Sequence, residues 1–254
     1  MLILITNDDG IHAPGLAVLE RVARRLGDEV VVVAPETDQS GVAHSLSLND
    51  PLRLREESEG RYAIKGTPTD CVIMAVNAIL KDRRPDLILS GINRGQNVAE
   101  DVTYSGTIAA AMEGTLLGVP SIALSQAYGP VSGRQNPHWA CGETHAGRTV
   151  ERILAAGIPR GTLVNVNFPD CPPEEVAGLD VTRQGARDTA LMQVHEREDG
   201  RGNPYFWIGF ARGKFTPVDG SDLEALRNRK ISVTPLRLDL TDAETRERYA
   251  RSFG

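Results

Sequence analysis

Two adjacent carboxylates, Asp8 and Asp9, follow closely on the apolar run Leu2–Ile5, after Thr6 and Asn7, and precede Gly10. At the end of a buried strand such a pair repels itself and loses hydration, a cost that a bound cation removes. Neighbouring side chains of an extended chain point to opposite faces, so both can serve one site only if the chain turns. Gly10 permits that turn. The competing reading is an idle, solvated Asp pair on a surface loop, and the position directly after a buried strand argues against it.

Three further loops follow strand-like segments. The first, after Ala34-Pro35, carries Asp38, Gln39, Ser40, Gly41, His44 and Ser45; the second runs from Gly91 through Asn93, Arg94 and Asn97. The third is Ser105-Gly106-Thr107, which opens a helix of small residues whose free N–H groups and dipole favour an anion such as phosphate. Plain N-capping by Ser105 explains the same residues. Neither GxGxxG nor GxxxxGK[ST] occurs, so dinucleotide and P-loop readings lose their main support. Carboxylate, hydroxyl and amide oxygens are hard donors that suit magnesium or manganese rather than zinc or copper. His12, His44, His138, His145 and His195 show no metal-binding spacing, although His12, three residues past Asp9, is placed to shuttle a proton.

The elements that must position these loops alternate. Strands are expected at Leu2–Thr6, Glu29–Ala34, 61–65, Leu87–Ser90 and Ser121–Ser125, apolar enough to be buried on both faces. Between them lie helices over 16–26, begun by Pro14 and ended by Gly27, over 70–80, capped by Thr69, and over 105–117. This pattern predicts an α/β fold with a doubly wound, mostly parallel sheet, which binds ligands at the carboxyl ends of its strands. The second half is less regular. A loop over 127–142, a helix over 144–156, strands over 163–166, 205–210 and 231–234, a short helix over 221–226 and a terminal helix over 242–251 are expected.

Chain length and charge narrow the options. At 254 residues one α/β domain is expected, and a net charge of −6 disfavours binding of bulk nucleic acid. Three scattered cysteines form no CxxC pair, the apolar run at Leu2–Ile5 is too short for a signal peptide, and no stretch approaches membrane-spanning length. A cytoplasmic protein without a membrane partner is the expectation.

The segments TNDDGIHAPG, APETDQSGVAHSLSL, GTPTDCV, SGINRGQN and YSGTIAAAMEG, continued by NVNFP, YFWIGF and ISVTPLRLDLT, closely resemble the signature blocks of the SurE (survival protein E) family. Ala99 and Ile108 are small departures, and the loop over 127–142 matches none of these blocks. The resemblance implies a metal-dependent 5'/3'-nucleotidase that hydrolyses nucleoside monophosphates, with possible activity on short polyphosphate. It implies one divalent ion per subunit, held by Asp8, Asp9, Ser40 and Asn93, with Asp8, Asp9 and Asn97 as catalytic residues. Asn97, Ser105, Gly106 and Thr107 are the expected phosphate contacts. It further implies a Rossmann-like three-layer core over about 1–180. A projecting β-hairpin and a C-terminal segment, over about 181–254, would join subunits into a homodimer or homotetramer.

Hydrolysis by a metal-oriented water and attack by an Asp nucleophile are both open at this level. So are two rivals: a nucleotide-sensing module without turnover, and a hydrolase of other phosphoesters, since no base-reading motif is recognisable.

Overall fold

The computed structural model describes residues 1–187, 192–210, 216 and 218–254. Strands β1 (Leu2–Thr6), β2 (Glu29–Pro35), β3 (Arg53–Ser58), β4 (Arg61–Lys65), β5 (Leu87–Arg94), β6 (Ser121–Gln126), β7 (Thr162–Phe168), β8 (Leu179–Val181) and β11 (Ile231–Arg237) form the main sheet. Its order is β3-β4-β2-β1-β5-β6-β7-β11-β8. The block β4-β2-β1-β5-β6-β7 is parallel throughout, whereas β3 and β11 run antiparallel to β4 and β7. Strands β9 (Met192–Glu198) and β10 (Pro204–Phe210) form a separate antiparallel hairpin.

The apolar strand sequences reflect burial on both faces. Ile3, Ile5, Leu87 and Leu89 pack beneath α1 (Pro14–Leu26) and α4 (Trp139–Ala156). Leu2, Leu4 and Ile88 point the other way, into a core closed by α2 (Pro68–Met74). Helix α3 (Gly106–Leu116) shares that face, and its Ile108 and Ala111 pack with Ala123. The result is the expected three-layer α/β sandwich. Pro14 at the start of α1 gives up no needed donor, and the Gly27 N–H closes the helix on Ala23 O.

Several local expectations are corrected. The cap of α2 is Thr67 rather than Thr69: its Oγ1 accepts from Asp70 N at 3.1 Å, and Asp70 Oδ2 accepts from Thr67 N at 2.9 Å. That reciprocal pair satisfies two donors that would otherwise be stranded. Helix α4 starts at Trp139, inside the expected loop, because Trp139 packs on the core and Gly142 N donates to Gln126 Oε1. Strands β3 and β8 lie outside the expected elements, whereas β9 and β10 form the expected hairpin. Strand β11, grouped by sequence with the terminal segment, lies within the main sheet between β7 and β8. Helix α5 (Asp222–Arg227) precedes it, and α6 (Ala243–Phe253) follows it with no buried residue.

Candidate active site

The strand order determines where a site can form. From β1 the chain moves outward to β2 and β4, then returns to the other side of β1 at β5. Loops leaving β1 and β5 therefore diverge to opposite faces, and a crevice opens between them at the carboxyl end of the sheet. Asp8 and Asp9 leave β1 there, and Asn93 and Arg94 end β5 there.

Each carboxylate is held by one bond. Asn7 Nδ2 donates to Gly10 O at 2.9 Å and fastens the turn, in which Gly10 adopts φ 99°. Asp8 Oδ1 then accepts from Thr107 Oγ1 at 2.6 Å, and Asp9 Oδ2 accepts from Arg94 N at 3.0 Å, across the crevice. Among the described residues no Lys or Arg makes an ion pair with either group. Burial first, and then the Asp9 charge, push the Asp8 carboxyl from its ordinary 3.8 up to about 7, against the pull of the Thr107 hydroxyl. Burial also raises Asp9, opposed by the Arg94 N–H and by the charges of Arg94 and Arg134.

The other expected ligands present oxygens. Ser40 Oγ gives its proton to Asp38 Oδ1 at 2.6 Å, which leaves its lone pairs for a cation. Asn93 Nδ2 donates to Gly95 O at 2.9 Å, so the oxygen of that amide remains to accept. Two repelling carboxylates with an orienting bond each, a hydroxyl and an amide oxygen fit a hard divalent ion. Among the described residues no three His, Cys, Asp or Glu side chains gather as a metal cluster, so a site here must use the hydroxyl and amide oxygens.

Asp8, Ser40, Asn93, Asn97 and Ser105 line a single cleft of about 730 Å³. Asp9, Gly106 and Thr107 are not among its lining residues. Thr107 spends its hydroxyl proton on Asp8, so what it can offer an anion is its backbone N–H. Ser105 caps α3 by accepting from Ile108 N at 3.1 Å, and its own hydroxyl proton is left to donate. His12 is exposed and is not among the residues that line the cleft, and His44 lies 3.0 Å from Glu113.

Asn97 is fixed by residues that sequence patterns did not flag. Its N–H donates to Asn167 Oδ1 at 2.8 Å, its carbonyl accepts from Asn165 Nδ2 at 2.8 Å and Asn167 Nδ2 at 3.2 Å, and its Nδ2 donates to Ser125 Oγ at 2.9 Å. The available signal was the spacing of Asn165 and Asn167, two apart in an apolar strand and hence on one face.

Gly106 shows how tightly the two halves meet. A Cβ there would lie 2.8 Å from Asp8 Cβ and 3.1 Å from Pro68 Cγ. Gly106→Ala is therefore expected to displace Asp8 and to lower any turnover at this site by about a hundredfold, the scale of an ångström-sized misplacement. Turnover within a few-fold of wild type in steady-state assays would show that Asp8 need not sit there.

A family profile described as Survival protein SurE matches residues 3–190. The protein called 5'-nucleotidase SurE of Methylorubrum extorquens (strain PA1) is 66% identical over 253 residues, covering 100% of this chain and 99% of the relative. The 5'-nucleotidase SurE of Azorhizobium caulinodans is 63% identical over 253 residues, with 100% and 99% covered. The crystal structure of the SurE protein from Aquifex aeolicus matches with a TM-score of 0.85 and 40% identity, covering 100% of both chains.

Proposed function

The chain belongs to the survival protein SurE family, and from that membership we propose that it is a metal-dependent hydrolase of nucleoside 5'-monophosphates. The observation that carries this is the Asp8–Asp9 pair at the crevice between β1 and β5, on the same cleft as the start of α3. A divalent magnesium or manganese ion bound there would supply charge withdrawal from a phosphate oxygen and ready formation of a nucleophilic hydroxide. Asp8, Asp9, Ser40 and Asn93 are its proposed holders, one ion per subunit.

The protein's own part is placement. Thr107 and the Arg94 N–H aim the two carboxylates. Asn97, clamped by Asn165 and Asn167, presents its amide to the phosphoryl oxygens, and the Ser105 hydroxyl and the first N–H groups of α3 take the rest. Donors fixed before the reaction stabilise the charge that develops on those oxygens without reorganising.

A panel of phosphomonoesters with added magnesium or manganese tests this. Nucleoside 5'-monophosphates are expected to be turned over, with 3'-monophosphates and short polyphosphate as further substrates. Chelator and Asp9→Asn should each abolish turnover with the fold kept. Activity that survives both would refute the metal site, and nucleotide binding without turnover would favour a sensing module.

We assign the hairpin to assembly. In β9 and β10, Val194, Phe206, Trp207 and Ile208 are 58–68% exposed in the single chain, side by side on a two-stranded ribbon. Apolar surface of that kind is covered in stable assemblies. A homodimer or homotetramer is expected by light scattering on a sizing column, and a stable monomer would remove this assignment. Among the described residues no helix is long and apolar enough to cross a membrane, and a cytoplasmic location is proposed on the family's soluble character.

A further inference from the structure

The cleft is larger than a phosphate site needs. Its volume of about 730 Å³ lies in the range that encloses a whole small-molecule ligand. The Asp8 end accounts for a phosphoryl group. The same lining includes Leu223, Leu226 and Arg227, all from α5, together with Tyr104, which directly precedes Ser105. No motif in the sequence marks the three α5 residues.

Helix α5 is tied to the catalytic loop by buried groups. Asp222, fully buried, accepts from Ala99 N at 2.9 Å, Gly185 N at 2.9 Å and Leu223 N at 2.8 Å. Leu223 packs with Val98 and Ala99, and Leu226 packs against that cluster. Arg187 clamps the same loop, donating to Val98 O and pairing with Glu100 at 3.1 Å and Asp101 at 2.7 Å. The anchored stretch begins directly after Asn97 and leads into Ser105. The wall formed by α5 is thus fixed relative to the phosphate end, as a specificity wall must be.

Its chemistry suits a nucleoside. Leu223 is spent on packing, but Leu226 is half-buried and Arg227 is exposed, with no hydrogen bond or ion pair among the described residues. An aliphatic side chain next in sequence to a guanidinium, on a helix that lines the cleft, accepts the flat apolar face of a heterocycle while offering donors to its polar edge. Resting on the phosphatase reading above, we propose that α5 is the nucleoside subsite of this cleft. Leu226 covers the base and Arg227 binds its polar edge, so these two residues make the protein prefer nucleotides to simple phosphomonoesters.

The test compares kcat/KM for adenosine 5'-monophosphate, a pyrimidine counterpart and glycerol 3-phosphate in wild type, Leu226→Ser and Arg227→Ala. The ratio of nucleotide to glycerol phosphate efficiency should fall roughly tenfold in each variant, mainly through the nucleotide KM, since lost apolar or polar contact in a pocket has about that effect. A ratio that stays at the wild-type value overturns the proposal, whether both substrates are unaffected or both decline together as misfolding would make them. Arg227→Ala, at an exposed position, keeps the test readable if Leu226→Ser destabilises the fold. Thermal shift by adenosine 5'-monophosphate in chelator reads the same wall without turnover. An inactive wild type that still shows a shift lost in both variants would sink the phosphatase reading and leave the subsite standing; no shift in the wild type would overturn the subsite.

Discussion

Asp8→Asn is expected to lower nucleotide hydrolysis by about a thousandfold and to raise the melting temperature of the metal-free protein at pH 8. The first effect follows from removing a charged ligand: a metal contributes several kcal/mol of transition-state stabilisation, and each 1.36 kcal/mol is about tenfold in rate. The second follows from burial. Asp8 is 4% exposed, beside Asp9, with a single side-chain donor in Thr107. An asparagine keeps an oxygen for the Thr107 hydroxyl and carries no charge to desolvate. Steady-state kinetics and thermal melts in chelator measure the two together. Near wild-type turnover, or a lowered melting temperature, would contradict this account of the site.

The metal-free protein should also lose stability as pH rises from about 4 to about 7. The Asp8 carboxyl moves from its ordinary 3.8 up to about 7 on folding. Between those values the unfolded chain has released this proton while the folded protein still holds it. Stability therefore declines with rising pH across the window and levels off above the folded value. A difference of about 3 in pKa, at about 1.36 kcal/mol each, caps the effect near roughly 4 kcal/mol. Burial raises Asp9 in the same direction. Urea unfolding in chelator, read as the difference between wild type and Asp8→Asn, isolates the Asp8 share from other acid effects. Added magnesium should reverse the trend, because the ion binds the deprotonated carboxylates and so stabilises more at higher pH. A pH-independent difference between the two proteins would remove burial as the cause.

Much of this was legible in the residues. The runs at 2–5, 30–34 and 87–89 are apolar at every position because both faces are covered, and that pattern marks a parallel sheet. What it cannot show is an edge. Strand β3 is Arg53-Leu54-Arg55-Glu56-Glu57-Ser58, almost all exposed, and is held to β4 by backbone pairing. Strand β9 is exposed along its whole length. Neither has an apolar face to read. Thr67 was readable as the α2 cap, since Asp70 stands three residues on as a capping box requires; Thr69, nearer the apolar run, hid it.

The candidate site divides similarly. Asp8, Asp9, Ser40, Asn93 and Ser105 stand in recognisable motifs. Asn165, Asn167, Arg187 and Asp222 act on residues 97–101 from far along the chain; the two-residue spacing of Asn165 and Asn167 shows a shared face, but no local pattern names the partner. Helix α5 looked like an ordinary short helix for the same reason.

Those long spans affect how the protein acquires its activity. Thr107 reaches Asp8 across 99 residues, Asn167 reaches Asn97 across 70, and Asp222 reaches Ala99 across 123. Contacts this distant close late, because the chain must first give up the entropy of large loops. During synthesis both aspartates emerge more than 200 residues ahead of Asp222, so the loop that works with them is not secured until the chain between has been made. A nascent chain therefore carries its acidic pair before the loop that faces it can be anchored.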